Sequence, residues 1–89
     1  ITVGKDQTTS VGDNQSTSVG KDRSANIGKN DALDVGKKLT ITAGDEIVLK
    51  TGSATITMKK SGDITIEGKQ INIKGSADVV IKGQKILQN

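Results

Sequence analysis

The 89-residue chain has no cysteine, no histidine, no proline and no aromatic side chain. Lacking cysteine, it has no disulfide to staple a small fold, and lacking cysteine and histidine together it has no Cys/His metal site. Aromatic rings supply much of the buried area in a small domain. Without them, and with only 31% apolar residues, a self-contained globular core is not expected at a length where cores are already marginal. The same absence removes the stacking platforms of single-strand nucleic-acid binders.

Charge of one sign is not concentrated either. The 13 basic and 10 acidic residues leave a net charge of +3, and no like-charged run exceeds the pairs Lys37-Lys38 and Lys59-Lys60. A nucleic-acid surface gathers its positive charge; this spread describes a solvated outer face, and no nucleic-acid partner is expected. No stretch approaches the roughly 20 apolar residues of a membrane-spanning helix. No signal-peptide pattern opens the chain. It starts on Ile1, already in phase with the repeat described next, and so reads as an excerpt of a longer protein.

What the chain does have is a period. Seven glycines, Gly4, Gly12, Gly20, Gly28, Gly36, Gly44 and Gly52, fall eight residues apart. The first five follow a β-branched apolar residue, in Val3-Gly4, Val11-Gly12, Val19-Gly20, Ile27-Gly28 and Val35-Gly36. Ala43-Gly44 and Thr51-Gly52 keep the spacing. A short fixed period marks a quasi-one-dimensional repeat. Gly, Ser, Thr, Asn and Lys are abundant enough to raise disorder as an alternative, but regular apolar spacing and the lack of proline oppose it. Gly every eighth residue and abundant Thr, Val and Ile also oppose a helix.

With the apolar residue as position a and Gly as b, position g runs Thr9, Thr17, Ala25, Leu33, Ile41, Leu49, and position e ends in Leu39 and Ile47. Positions e, g and a are two apart, so on a strand they share a face. The octad therefore predicts strands of about five residues joined by three-residue corners. Glycine suits a corner because it takes positive φ and admits a neighbouring backbone. Corner Asp and Asn, as in Gly12-Asp13-Asn14 and Gly20-Lys21-Asp22, steady the turn by bonding local backbone. A calcium solenoid would need a nonapeptide with paired glycines, so these carboxylates read as turn chemistry and no metal or cofactor is expected.

Beyond Gly52 the regularity loosens without stopping. Apolar pairs recur at Ile56/Met58, Ile64/Ile66, Ile71/Ile73 and Val79/Ile81, with Ile86 following, and glycine moves to Gly62, Gly68, Gly75 and Gly83. Strand signals are plain in Ala54–Met58 and Asp63–Glu67. The chain thus reads as one β-helical segment, regular over 1–52 and irregular over 53–89. Three such strands would enclose a triangle of 24 residues, and one chain would make fewer than four coils with open edges at both ends. Three chains wound together satisfy every edge except those at the two ends, at roughly 0.6 Å of length per residue. The expected fold is an intertwined homotrimeric triangular β-helix. Its expected core is Leu33, Leu39, Ile41, Ile47, Leu49, Ile56, Met58, Ile64, Ile66, Ile71, Ile73, Val79, Ile81 and Ile86. A narrow threefold interior takes aliphatic side chains, whereas three aromatic rings at one level would overfill it.

The Val-Gly octads, followed by Gly-punctuated strands from Ala54-Thr55-Ile56-Thr57-Met58 to Ile64-Thr65-Ile66-Glu67-Gly68, resemble the needle of VgrG spike proteins of type VI secretion systems. They are also similar to the C-terminal β-helix of phage cell-puncturing proteins. The resemblance implies a rigid, membrane-puncturing trimeric spike of a contractile injection apparatus. Such spikes are preceded by OB-fold and base domains, capped by a tip protein of the PAAR type, assembled in the bacterial cytoplasm and then secreted to meet a target envelope. The family supplies no catalytic residue here. Open sheet edges recruit partners, so tip docking is expected at Ile86, Leu87, Gln88 and Asn89. The alternative is the shaft of a trimeric tail fibre or adhesin stalk. No base-and-orienter arrangement accompanies the numerous Ser and Lys residues, so an enzyme is not expected.

Overall fold

The computed structural model describes residue 2 and residues 4–89; Val3, the first apolar position of the repeat, lies outside the described residues. The fold is all-β, with no helix among the described residues. Its strands are β1 (Glu46–Thr51), β2 (Ala54–Lys59) and β3 (Ile64–Glu67), joined in one open antiparallel sheet in the order β1-β2-β3. By contacts along the backbone the chain divides into two units, one running to Gly36 and the other spanning Lys37–Asn89.

In the first unit the octad is visible as geometry. The backbone bends at Gly4-Lys5, Gly12-Asp13, Gly20-Lys21 and Gly28-Lys29, and a further bend begins at Gly36, with stretches between them that are neither helix nor strand. Those stretches are not strands within one copy. A segment becomes a strand only when its N–H and C=O groups find a neighbour, and among the described residues the octads of this unit make no such pairing with each other. The corner glycines also depart from expectation, since none of Gly12, Gly20, Gly28, Gly36 or Gly44 has positive φ. A Cβ added at any of them would meet nothing within 4 Å. Within one copy, then, neither left-handed backbone nor close approach requires glycine at these corners.

In the second unit glycine is required, at the two turns of the sheet. β1 and β2 are joined by the two-residue loop Gly52-Ser53, and Gly52 has φ 55° while no non-glycine residue among those described has positive φ. Positive φ at the first central position alone is the type II′ pattern, whose twist matches the flanking strands. Gly52 is therefore a hairpin residue and not the seventh identical corner. The β2–β3 loop is longer. Lys59 N–H donates to the Asp63 carbonyl and Gly62 N–H donates to the Lys59 carbonyl, each at 3.0 Å. Gly62 closes this loop at φ 99°, as in a type I turn followed by a left-handed glycine. Ser61 Oγ donates to Asp63 Oδ2 at 3.0 Å and adds a local clasp.

Past the sheet, Gly75 is held by close backbone approach, since a Cβ there would lie 2.6 Å from the Asp78 carbonyl oxygen. Among the described residues no side chain is buried, polar or apolar. The 9983 Å² of accessible surface is about twice the roughly 4,900 Å² of a folded monomer of this mass, and below the roughly 13,000 Å² of an unfolded chain. One copy is folded locally and is nowhere closed.

Candidate assembly interface

Register decides what each face of the sheet carries. β1 pairs with β2 so that Ile47 faces Met58 and Leu49 faces Ile56, and β2 pairs with β3 so that Ile56 faces Ile66 and Met58 faces Ile64. Side chains alternate along a strand, so these six aliphatic residues occupy one side. Thr51 and Ala54 complete that side at the turn. The opposite side carries Glu46, Val48, Lys50, Thr55, Thr57, Lys59, Thr65 and Glu67. The sheet is thus amphipathic, with every charge of its strands on one side.

The apolar side has no cover. Leu49 is 59% exposed, Ile64 65% and Ile66 57%, and even Ile56 and Met58 on the central strand are 41% exposed. A shallow groove of about 560 Å³ runs over it, bounded by Leu49, Ala54, Ile56, Ile66 and, beyond β3, Ile71. A second depression of about 240 Å³ lies between Ile41, Ala43, Ile47 and Met58. Burial of apolar surface is worth roughly 25 cal/mol per Å², so an uncovered aliphatic sheet face is a candidate interaction surface.

Of the residues expected to form a shared core, the sheet brings together Ile47, Leu49, Ile56, Met58, Ile64 and Ile66. Ile71 joins them at the edge of the groove. The others stand outside any strand: Leu33 in the first unit, Leu39 and Ile41 before β1, and Ile73, Val79, Ile81 and Ile86 after β3. All are exposed, Leu33 at 74% and Ile73 at 69%. Past them Leu87 is 85% exposed, and Gln88 and Asn89 are exposed as well. The octad residues Val11, Val19, Ile27 and Val35 are each between 41% and 49% exposed.

Sequence reasoning missed the charge pairing at the open end of the first hairpin. The acidic pair Asp45-Glu46 lies across from the basic pair Lys59-Lys60. Glu46 and Lys59 are Cα partners, Lys60 N–H donates to the Asp45 carbonyl at 3.0 Å, and Lys60 Nζ sits 3.4 Å from Asp45 Oδ1. Both ends of that ion pair are well exposed, so it contributes little stability. What it does is favour this register, because a slip of two residues in either direction separates the acidic pair from the basic one. Two charge pairs placed symmetrically about Gly52-Ser53 are the signal that was available in the sequence.

Among the described residues no group of three or more Asp or Glu side chains is placed to hold a metal ion. No helix is long and apolar enough to cross a membrane. No protein-family model matches the chain, and no curated protein sequence matches it.

Proposed function

We propose that the chain is a shaft segment of a puncturing needle: three copies wind into a triangular β-helix that serves as the rigid spike of a contractile injection apparatus. The observation that carries this reading is the conjunction of glycine bends at eight-residue intervals with an aliphatic stripe that one copy leaves exposed. A partner is required, and a repeat this short is completed most economically by copies of itself. Pairing between copies would turn the extended octad stretches into strands and would cover the e, g and a positions at a common axis. A shaft held by continuous backbone pairing resists bending without depending on any one side chain, which suits a device that transmits force. In this reading the outer face, with its interspersed charges, is solvated and chemically passive. The spike emerges from the producing bacterium and meets the target envelope transiently.

Sedimentation equilibrium tests the assembly directly. Three copies of 9.2 kDa should give about 28 kDa, with loss of β structure rather than a folded monomer on dilution. A compact monomer that unfolds cooperatively would overturn the trimer.

The reading extends to the partner at the end of the shaft. Ile86 and Leu87, 62% and 85% exposed, would present apolar side chains and unpaired backbone to a small tip protein of the PAAR type. Deleting Ile86–Asn89 from the full-length protein should weaken tip binding at least tenfold, measured by titration calorimetry, while the mass stays trimeric. Unchanged affinity would place the docking surface elsewhere.

A further inference from the structure

The apolar residues change parity once inside the sheet, and the change coincides with the first turn. In the octads and in β1 they sit at odd positions: Leu39, Ile41, Ile47, Leu49. In β2 and β3 they sit at even positions: Ile56, Met58, Ile64, Ile66. A continuing octad would have placed them at 55 and 57, where the sequence has Thr55 and Thr57. Had octad winding continued, those threonines would point to the core and Ile56 and Met58 to solvent. The two-residue turn at Gly52-Ser53 pairs odd positions with even ones, Ile47 with Met58 and Leu49 with Ile56, and so returns every aliphatic residue to one side. Sequence and register agree when β1 and β2 pair through this turn, within the same copy.

We propose that Asp45–Glu67 of each copy forms one complete side of a three-sided prism. Pairing between copies, which serves the octads, gives way here to pairing within each copy, and the copies meet only through their apolar faces. This rests on the trimeric reading above for its partner, a second and third copy of this chain, and goes beyond it in how the strands are shared.

Three features of the sheet favour copies of itself as the occupant. The first is its dimensions. β1 and β2 have six residues each, and a strand of that length spans about 20 Å. The centre of an equilateral triangle with sides of 20 Å lies about 5.8 Å from each side, close to half the roughly 10 Å between packed sheets. Aliphatic side chains fill that depth, so three such faces close a core without a void. The second is charge. The mating face of the strands carries none, while Glu46, Lys50, Lys59 and Glu67 lie on the other side, so a threefold axis brings no like charges together. The third is area. The chain exposes about 5,000 Å² more than a folded monomer of its mass, well above the roughly 800 Å² per partner of a standard interface. A single small ligand in the groove would leave most of that uncovered.

The chain has no cysteine, so an engineered pair reports connectivity cleanly. Asp45 and Lys60 form a hydrogen-bonded pair, and such pairs alternate with non-hydrogen-bonded ones. Val48 and Thr57 therefore form a non-hydrogen-bonded pair with Cα atoms about 4.5 Å apart, within disulfide range and on the outer side. The Val48→Cys/Thr57→Cys protein is oxidised, its mass in solution is measured by sedimentation, and it is run on a denaturing gel without reductant. Thr57→Cys/Thr65→Cys, across β2 and β3, is the second variant should the first fail to fold. The expected result is a trimeric mass in solution with all cross-linked protein running at the mass of one chain. Covalent dimers and trimers on the gel with a trimeric mass would overturn pairing within a copy and leave the trimer standing. A monomeric mass would overturn the trimer itself. Folded trimer with no disulfide in either variant would overturn the register.

Discussion

Ile66→Asp is expected to abolish assembly. Ile66 lies on the uncovered side of the sheet, opposite Ile56 on the neighbouring strand. In a threefold assembly the substitution puts three carboxylates at one level near the axis. Each would lose its hydration at an effective cost of several kcal/mol, with mutual repulsion added. The sum exceeds the roughly 5–15 kcal/mol that holds a typical fold together. Thr65→Asp, one residue away on the other side of the sheet, should shift stability by no more than about 1 kcal/mol. Thermal unfolding followed by circular dichroism, with sedimentation on the same samples, separates the two. Equal tolerance at 65 and 66 would mean that the side carrying Ile66 is not covered in solution, and greater sensitivity at 65 would mean that the two sides of the sheet have been exchanged.

The second large effect is subtractive. Ile56 occupies the central strand, flanked by Leu49 on one side and Ile66 on the other. The Lys59–Asp63 hydrogen bond sets the alternation so that Ile56 and Ile66 form a non-hydrogen-bonded pair, where side chains approach most closely. Truncating a buried isoleucine to alanine costs about 2–5 kcal/mol, and threefold symmetry repeats the cavity, for about 6–15 kcal/mol per trimer. Ile56→Ala should therefore lower the melting temperature by at least about 12 °C. Val48→Ala, on the charged side, should lower it by only a few degrees. Equal shifts would show that the face carrying Ile56 is not covered in solution.

Much of this arrangement is legible in the chain itself. Alternation in Ile56-Thr57-Met58 and Ile64-Thr65-Ile66 marks β2 and β3 because a half-buried strand must separate its two sides. The octad glycines mark the bends for the same kind of reason, a fixed corner interval. The hairpin at Gly52 escaped because its glycine falls on the octad count. Two explanations coincide at one residue, and the repeat is the louder. The discriminating signs are Ser53 after Gly52, a frequent two-residue loop, and the switch from odd to even apolar positions. The positive φ assigned to every corner was too general. An open bend is within reach of ordinary backbone angles, and among the described residues only the two tight reversals at Gly52 and Gly62 use the left-handed region.

The two short loops of the sheet also set a clock. Strands joined by two or three residues pair in about 1–10 μs, whereas an octad ladder built from separate chains must wait for them to meet, a step that slows with dilution. Each copy would therefore form and lose the sheet many times before its first encounter, so that the sheet is at hand when two copies meet. The order has value because near-identical octads can slide past one another by eight residues and still match aliphatic to aliphatic. The sheet occurs once in the chain and matches at one position only. In the proposed trimer, copies that dock there first would have their alignment fixed before the repeats begin to zip, and the ambiguity built into a periodic sequence would be removed in time rather than by added stability.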